Sequence, residues 1–224
     1  MEVGDRAPAI EARDLYRFFH ALEDETFALR GVSLSLGEGE MVALVGPSGS
    51  GKSTLLACLA GLDEPDGGHV EVEGTRITRR PEPERAAIRA ASIGILLQYG
   101  NLLEHLTVAE NVRIARSFST KENEELGDLL DELGIGERRD ARPSTLSGGE
   151  AARAGLAVAL ANDPAIVLAD EPTGELDREH ADVVLDLLRA RRERGTAVLV
   201  ATHSDAVAAA ADRVVTLADG MVVA

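Results

Sequence analysis

The 224-residue sequence predicts an α/β fold, a largely parallel β-sheet with helices on its faces. Two observations carry that expectation. Aliphatic runs of strand length, "MVALVG" (41–46), "SIGILLQ" (92–98), "AIVLAD" (165–170) and "TAVLVATH" (196–203), are continuous rather than alternating, as strands covered on both faces require. Stretches with helical spacing of apolar residues stand between them. Composition agrees: 45% hydrophobic and 28% charged residues are ordinary for a globular chain, and this length buries a sizeable core in one domain, 1–224. Aromatics are only 3% with no Trp, so aliphatic side chains fill the core.

In chain order, "MEVGDRAPAIEARD" is acidic and has no apolar h-region, so it does not read as a signal peptide. "MVALVG" leads through a glycine-rich loop into the helix "KSTLLACLAGL", and "HVEVEGTRI" (69–77) predicts a small hairpin turning at Glu73-Gly74. The middle is helical. "TVAENVRIARSF" (107–118), "ENEELGDLLDELG" (122–134), with Leu126, Leu129, Leu130 and Leu133 on one face, and the helix after Ser147 predict a subdomain at about 100–162. "DREHADVVLDLLRARRERG" (177–195) is an amphipathic helix stopped by Gly195, and "ADRVVTLADGMVVA" predicts a strand pair around Asp219-Gly220.

A net charge of −16 argues against a duplex-binding protein, which needs clustered Lys and Arg to neutralise phosphates. The sole cysteine, Cys58, lies inside an apolar run and reads as a core residue; it excludes an intramolecular disulfide and fits a reducing compartment. No apolar run reaches spanning length without interruption, so the chain is expected to be soluble and to meet a membrane only through a partner.

"GPSGSGKST" (46–54) fits G-x-x-x-x-G-K-[ST] between a strand and a helix, the context the motif needs. Gly46, Gly49 and Gly51 let backbone N–H groups wrap phosphates without Cβ clashes, and Ser48, Ser50 and Thr54 complete the nucleotide-binding set. Lys52, one of only two lysines, supplies a point charge to the β and γ phosphates, and Ser53 a hydroxyl to Mg²⁺. The plainer reading is a glycine-rich turn.

Asp170 and Glu171 follow an apolar strand, where open α/β sheets place ligands. Asp170 suits a Mg²⁺ ligand acting through water, and Glu171 a general base for the attacking water; a solvated acid pair at a turn is the alternative. Gln98 is expected to end its strand within reach of Mg²⁺ and that water, though a glutamine there also suits an exposed strand end. His203, after another core strand, is placed to contact the γ-phosphate and hold Glu171; a structural histidine is the alternative.

A second anion cradle appears in "STLSGGEAARAGLAVAL" (144–160). Ser147 and Glu150 fit the S-x-x-E capping box, which explains the residues without a ligand. A capped helix start is also a ready anion site, so both readings stand.

The order "GPSGSGKST", Gln98, "LSGGE", "IVLADEP", "GELD" and His203 resembles the ATPase subunit of ABC transporters along essentially the whole chain. "GVSLSLGEGE", "IGILLQYGNLLEHLTVAENV" and "LADEPTGELD" resemble the branch serving lipoprotein release, macrolide-type export and cell division. The resemblance implies a P-loop NTPase core with an N-terminal antiparallel β subdomain and an inserted helical one. It implies ATP and Mg²⁺ as cofactors, and a homodimer or heterodimer in which Ser147, Gly148 and Gly149 bind the γ-phosphate held by the other subunit. It implies a separately encoded membrane permease as partner, a cytoplasmic position at the inner membrane face, and no nucleic acid. Tyr99, Leu102 and Leu103 either form the docking cleft for that permease or pack the helical subdomain. The cell-division member suggests the alternative of a mechanical signal without export.

Counting back from "ALRGVSLSL" points to Phe19 as the adenine-stacking aromatic, with Phe18 and Tyr16 as neighbours. Asp177 matches a loop that communicates across the dimer and also suits an N-cap. The chain departs from the family in having Glu150 where glutamine is usual, and Val158 where a second arginine is usual. The extra charge beside a triphosphate predicts that Glu150→Gln turns over faster.

Overall fold

The structure is a computed structural model that describes residues 7–21, 24–118 and 126–223. The chain opens with two long strands, β1 (Ile10–Ala21) and β2 (Asp24–Leu36), which pair antiparallel. After β3 (Met41–Val45), which belongs to a second sheet, β4 (Gly67–Val72) and β5 (Thr75–Arg76) complete a four-stranded antiparallel sheet in the order β2-β1-β4-β5. Ile10, Ala12, Leu15, Leu29, Val32, Leu34, Val70 and Val72 are buried. The alternation slips at Asp14, whose φ of 50° marks a bulge where β1 shifts register against both neighbours. Glu73 and Gly74 (φ 47° and 73°) form the expected hairpin turn, both in the left-handed region that a two-residue turn demands.

The second sheet contains the continuous aliphatic runs. β6 (Ile93–Leu96), β7 (Ile166–Asp170), β8 (Ala197–Ala201), β9 (Arg213–Ala218) and β10 (Met221–Val223) join β3 in the order β10-β9-β3-β8-β7-β6. All pairs are parallel except β10 with β9. Successive side chains point to opposite faces, yet both faces are buried. Val42, Leu44, Ile166, Leu168, Leu199 and Ala201 enter one core layer, shared with the first sheet and α1 (Lys52–Leu59). Met41, Val167, Ala169, Val198 and Val200 enter the other. At roughly 1.5–3 kcal/mol per fully buried aliphatic side chain, an unbroken run stabilises both layers at once. Cys58 lies in the first layer, where burial pushes its thiol up to about 12.

Before the second layer's helices comes α2 (Glu82–Ser92), which the sequence reading did not anticipate. The second layer is covered by α3 (Val108–Ser117), α4 (Leu126–Glu132), α5 (Gly148–Ala159), α6 (Arg178–Glu193) and α7 (Asp205–Ala210). Leu129, Leu130 and Leu133 are buried there as the spacing predicted; the side chain of Leu126 lies outside the described residues. Thr107 and Glu110 form a capping box at the start of α3. Among the described residues no helix is long and apolar enough to cross a membrane.

The strand expected over 92–98 stops at Leu96. Asn101 explains the early end. Its side-chain Oδ1 accepts from the Leu97 N–H at 2.7 Å and its Nδ2 donates to the Leu97 carbonyl at 2.6 Å, removing both groups from the ladder. Gln98 therefore stands two residues beyond its strand, in a loop.

Candidate nucleotide site

Register decides what meets at the carboxyl edge of the second sheet. Leu44 of β3 pairs with Ala201 of β8, Ala201 with Asp170 of β7, and Ala169 with Leu96 of β6. The chain leaves these four neighbouring strands through Gly46, His203, Glu171 and Gln98, so residues far apart in sequence emerge from one edge.

The loop after β3 lies hard against its surroundings. A Cβ on Gly46 would strike the Leu217 carbonyl oxygen of β9, and one on Gly51 (φ 105°) would strike that of Ala28 on β2. Ser50 donates its N–H to Pro47 at 3.2 Å and accepts from the Gly220 N–H at 3.1 Å. Its hydroxyl is buried without a hydrogen-bond partner among the described residues. Ser48, Gly49 and Ser53 are exposed and Thr54 half-buried. Helix α1 starts at Lys52 with Gly51 as N-cap and no side-chain cap, so no side chain caps its first-turn N–H groups. Lys52 Nζ donates to the carbonyls of Gly46 at 2.8 Å and Pro47 at 3.1 Å, which holds its charge at the loop.

Ser53 and Asp170 line one cavity of about 110 Å³. Among the described residues no group of three His, Cys, Asp or Glu side chains is placed to hold a metal by itself. One hydroxyl and one carboxylate fit Mg²⁺, which completes its octahedron with water and substrate phosphates.

Glu171 takes a left-handed backbone (φ 48°) with its N–H bonded to the Ala201 carbonyl at 2.9 Å. Its carboxylate is 13% exposed and meets His203 Nδ1 at 2.8 Å, while the buried Thr202 hydroxyl donates to its other oxygen at 3.4 Å. His203 is thus brought onto Glu171, as the sequence suggested; the Thr202 contact it did not suggest. Gln98 and Glu171 line a common cleft of about 260 Å³ with Tyr99, Leu102, Gly148 and Leu176. Leu103 does not line it and is 47% exposed. Gln98 Nε2 lies 3.4 Å from the Tyr99 hydroxyl, which donates to Glu175 at 2.6 Å; that carboxylate pushes the Tyr99 phenol up.

The second helix start carries a complete capping box. Ser147 Oγ accepts from the Glu150 N–H at 3.3 Å, and Glu150 accepts from the Ser147 N–H at 2.8 Å. Arg138 donates to the other Glu150 oxygen at 2.8 Å. The Ser147 N–H and then Arg138 hold the Glu150 carboxyl down to about 2. A Cβ on Gly148 would meet Leu176 at an ordinary 3.7 Å, whereas one on Gly149 would strike the His180 ring. His180 Nδ1 in turn meets both oxygens of Asp177, at 2.8 and 2.9 Å, and Asp177 caps α6 by accepting the His180 N–H at 3.0 Å. His180 therefore bridges Gly149 and Asp177. Its position three residues after an N-cap was the available signal; nothing in the sequence singled out Arg138.

On the N-terminal hairpin, Phe18 packs against Phe27 with ring centroids 5.8 Å apart, and Tyr16 packs beside Gly31 and Gly67. Phe19 pairs with Thr26 and remains 42% exposed, with the Arg17 guanidinium 4.5 Å from its ring centroid.

A family profile described as ABC transporter matches residues 29–174. The chain is 43% identical over 221 residues to the lipoprotein-releasing system ATP-binding protein LolD 1 of Caulobacter vibrioides, covering 94% of this chain and 93% of that protein. It is 39% identical over 219 residues to the macrolide export ATP-binding/permease protein MacB of Chlorobium luteolum, covering 96% of this chain but only 33% of that longer protein. Among solved structures, the dimeric MJ0796, a bacterial ABC transporter cassette, superposes with a TM-score of 0.89 at 34% identity, covering 95% and 96% of the two chains. The same cassette in a dimeric post-hydrolysis state bound to ADP and Pi gives 0.88 at 34%, with the same coverage.

Proposed function

Because this chain belongs to the ATP-binding, ATP-hydrolysing cassettes of ABC transporters, related to the lipoprotein-releasing and macrolide-export proteins, we propose that it drives a separately encoded membrane permease of that type. Two cassettes, identical or different, close head to tail at the inner membrane face. Each ATP then lies between the phosphate loop of one copy and the Ser147–Gly149 turn of the other. Residues 100–162 act as a helical subdomain that carries this turn, and the cleft of Tyr99 and Leu102 at its edge receives the permease.

Within one site, Gly46 to Thr54 wrap the phosphates, Lys52 offsets their charge, and Phe19 stacks on adenine. Ser53, Asp170 and Gln98 hold Mg²⁺, which when bound neutralises charge developing on the phosphoryl group. Glu171 accepts a proton from the attacking water. His203 holds Glu171 in place and donates toward the γ-phosphate, and Asp177 carries the state of one site across the dimer. ADP, lacking the γ-phosphate, holds the two copies less well, so hydrolysis reopens the pair.

The observation that carries this reading is the shared edge of β3, β6, β7 and β8, where a phosphate loop, an acid pair and a Glu171–His203 contact of 2.8 Å emerge together. Glu171→Gln is the test. It is expected to lower hydrolysis by about 10²–10⁴-fold while ATP binding survives and light scattering shows a doubled mass. A variant that stays monomeric in saturating ATP overturns the sandwich.

A further inference from the structure

A cation resting on an exposed aromatic ring ordinarily wanders, because a long side chain loses little by swinging into water. Arg17 cannot. Its Nε and Nη2 donate to the two oxygens of Asp63 at 2.8 and 2.9 Å, and its Nη1 donates to Asp66 at 3.1 Å. The planar fork is therefore fixed in orientation, and the side chain is 21% exposed. Both carboxylates sit in the loop that closes α1. The Asp63 N–H donates to the Ala57 carbonyl of that helix at 3.1 Å. Asp66 accepts from the Phe18 N–H at 3.0 Å, and its own N–H donates to the Tyr16 carbonyl at 2.8 Å. With the guanidinium 4.5 Å from the ring centroid on one side, Phe19 keeps 42% of its surface exposed.

We infer that Arg17 is a positioning residue for the base platform: clamped by Asp63 and Asp66, its guanidinium backs one face of Phe19 and presents the other to a purine. The inference rests on the proposed stacking role of Phe19. Its physical content is a single frame for the two ends of the nucleotide. The first turn of α1 receives the phosphates, and the loop after its last turn holds the ring that receives the base. A purine platform tied to the far end of the same helix keeps the distance between base and phosphate sites constant. Arg17 and Phe19 lie two apart on β1, where the extra residue of the register shift is Ala28 on β2, so the strand's own alternation puts both side chains on one face.

The test compares ATP with inorganic tripolyphosphate, which has no base, by calorimetry on the full chain. Arg17→Met keeps the apolar stem and removes the fork. It is expected to weaken ATP about three- to tenfold and to leave tripolyphosphate unchanged. Arg17→Lys restores the charge without the bidentate clamp and recovers only part of the loss. In a Phe19→Ala background Arg17→Met is expected to add nothing, since the cation then has no ring to hold. Equal weakening of ATP and tripolyphosphate by Arg17→Met, or an undiminished effect of it without Phe19, overturns the inference while leaving the stacking role intact. Unaltered ATP affinity in Phe19→Ala alone overturns the stacking role itself.

Discussion

Two helix starts in this molecule offer themselves to phosphate, and they are built in opposite ways. Helix α1 begins after Gly51 with no side-chain cap, beside Lys52 and a buried Ser50 hydroxyl that has no hydrogen-bond partner among the described residues. Helix α5 begins with a complete capping box, and Arg138 further occupies Glu150. The first leaves its donors without a side-chain cap and depends on a ligand for its full complement of hydrogen bonds. The second ties up the Ser147 and Glu150 N–H groups in its own box and keeps the Ser147 hydroxyl hydrogen and the N–H groups of Gly148 and Gly149 for an outside partner. The difference matches the division proposed above: a permanent holder of nucleotide, and a surface that stays stable until another copy brings a phosphate to it.

Lys52→Ala breaks the comparison hardest. It is expected to weaken ATP binding to the isolated chain on the order of 100-fold, read by calorimetry; unaltered affinity refutes the phosphate-loop assignment. Ser147→Ala is expected to leave that monomer affinity intact, yet to weaken ATP-driven dimers of the Glu171→Gln variant about tenfold and to cost about 1 kcal/mol of stability through the lost cap. If it weakens monomer binding as much as Lys52→Ala does, both helix starts serve one site within one copy.

Smaller effects come from Glu150. Its folded-state carboxyl lies near 2, below its ordinary 4.5, so its contribution to stability is present above the ordinary value and disappears as pH falls through the folded one. The difference in melting temperature between wild type and Glu150→Gln is therefore expected to be constant above about pH 5 and to close between 4.5 and about 2. A gap that persists at the acid end means the cap, not the charge, sets it. Smallest is the turnover of Glu150→Gln. It is expected to exceed wild type by less than about twofold, because Arg138 and the Ser147 N–H already take up the charge. Equal rates remove the expectation.

How much of this was legible in the sequence depends on where each residue finds its partners. Strands β3, β7 and β8 were plain because burial on both faces leaves an unbroken aliphatic run. Helix α2 was missed for the converse reason: none of its residues is fully buried, Ile88 alone of its large apolar side chains packs part-way onto the first core layer, and its other marks are Pro83 and the charges Glu82, Glu84 and Arg89 at its ends. The phosphate loop was legible because its residue types stand at fixed spacing in one segment, although Gly46 and Gly51 also make room for carbonyls from β9 and β2. The site residues that escaped notice, Thr202, His180 and Arg138, act on groups that folding brings to them. Gln98 was placed on a strand because the aliphatic run continues through Leu97; the Asn101 amide that ends the ladder is a polar contact with no periodic trace.

The floor of the phosphate loop is formed by carbonyls of Ala28 and Leu217, one from the first hairpin and one from the penultimate strand. A ribosome that has translated the motif's letters has not yet made its shape, since one supporting wall is still more than 150 codons from synthesis. The loop's floor is therefore complete only once β9 has been made and has paired beside β3.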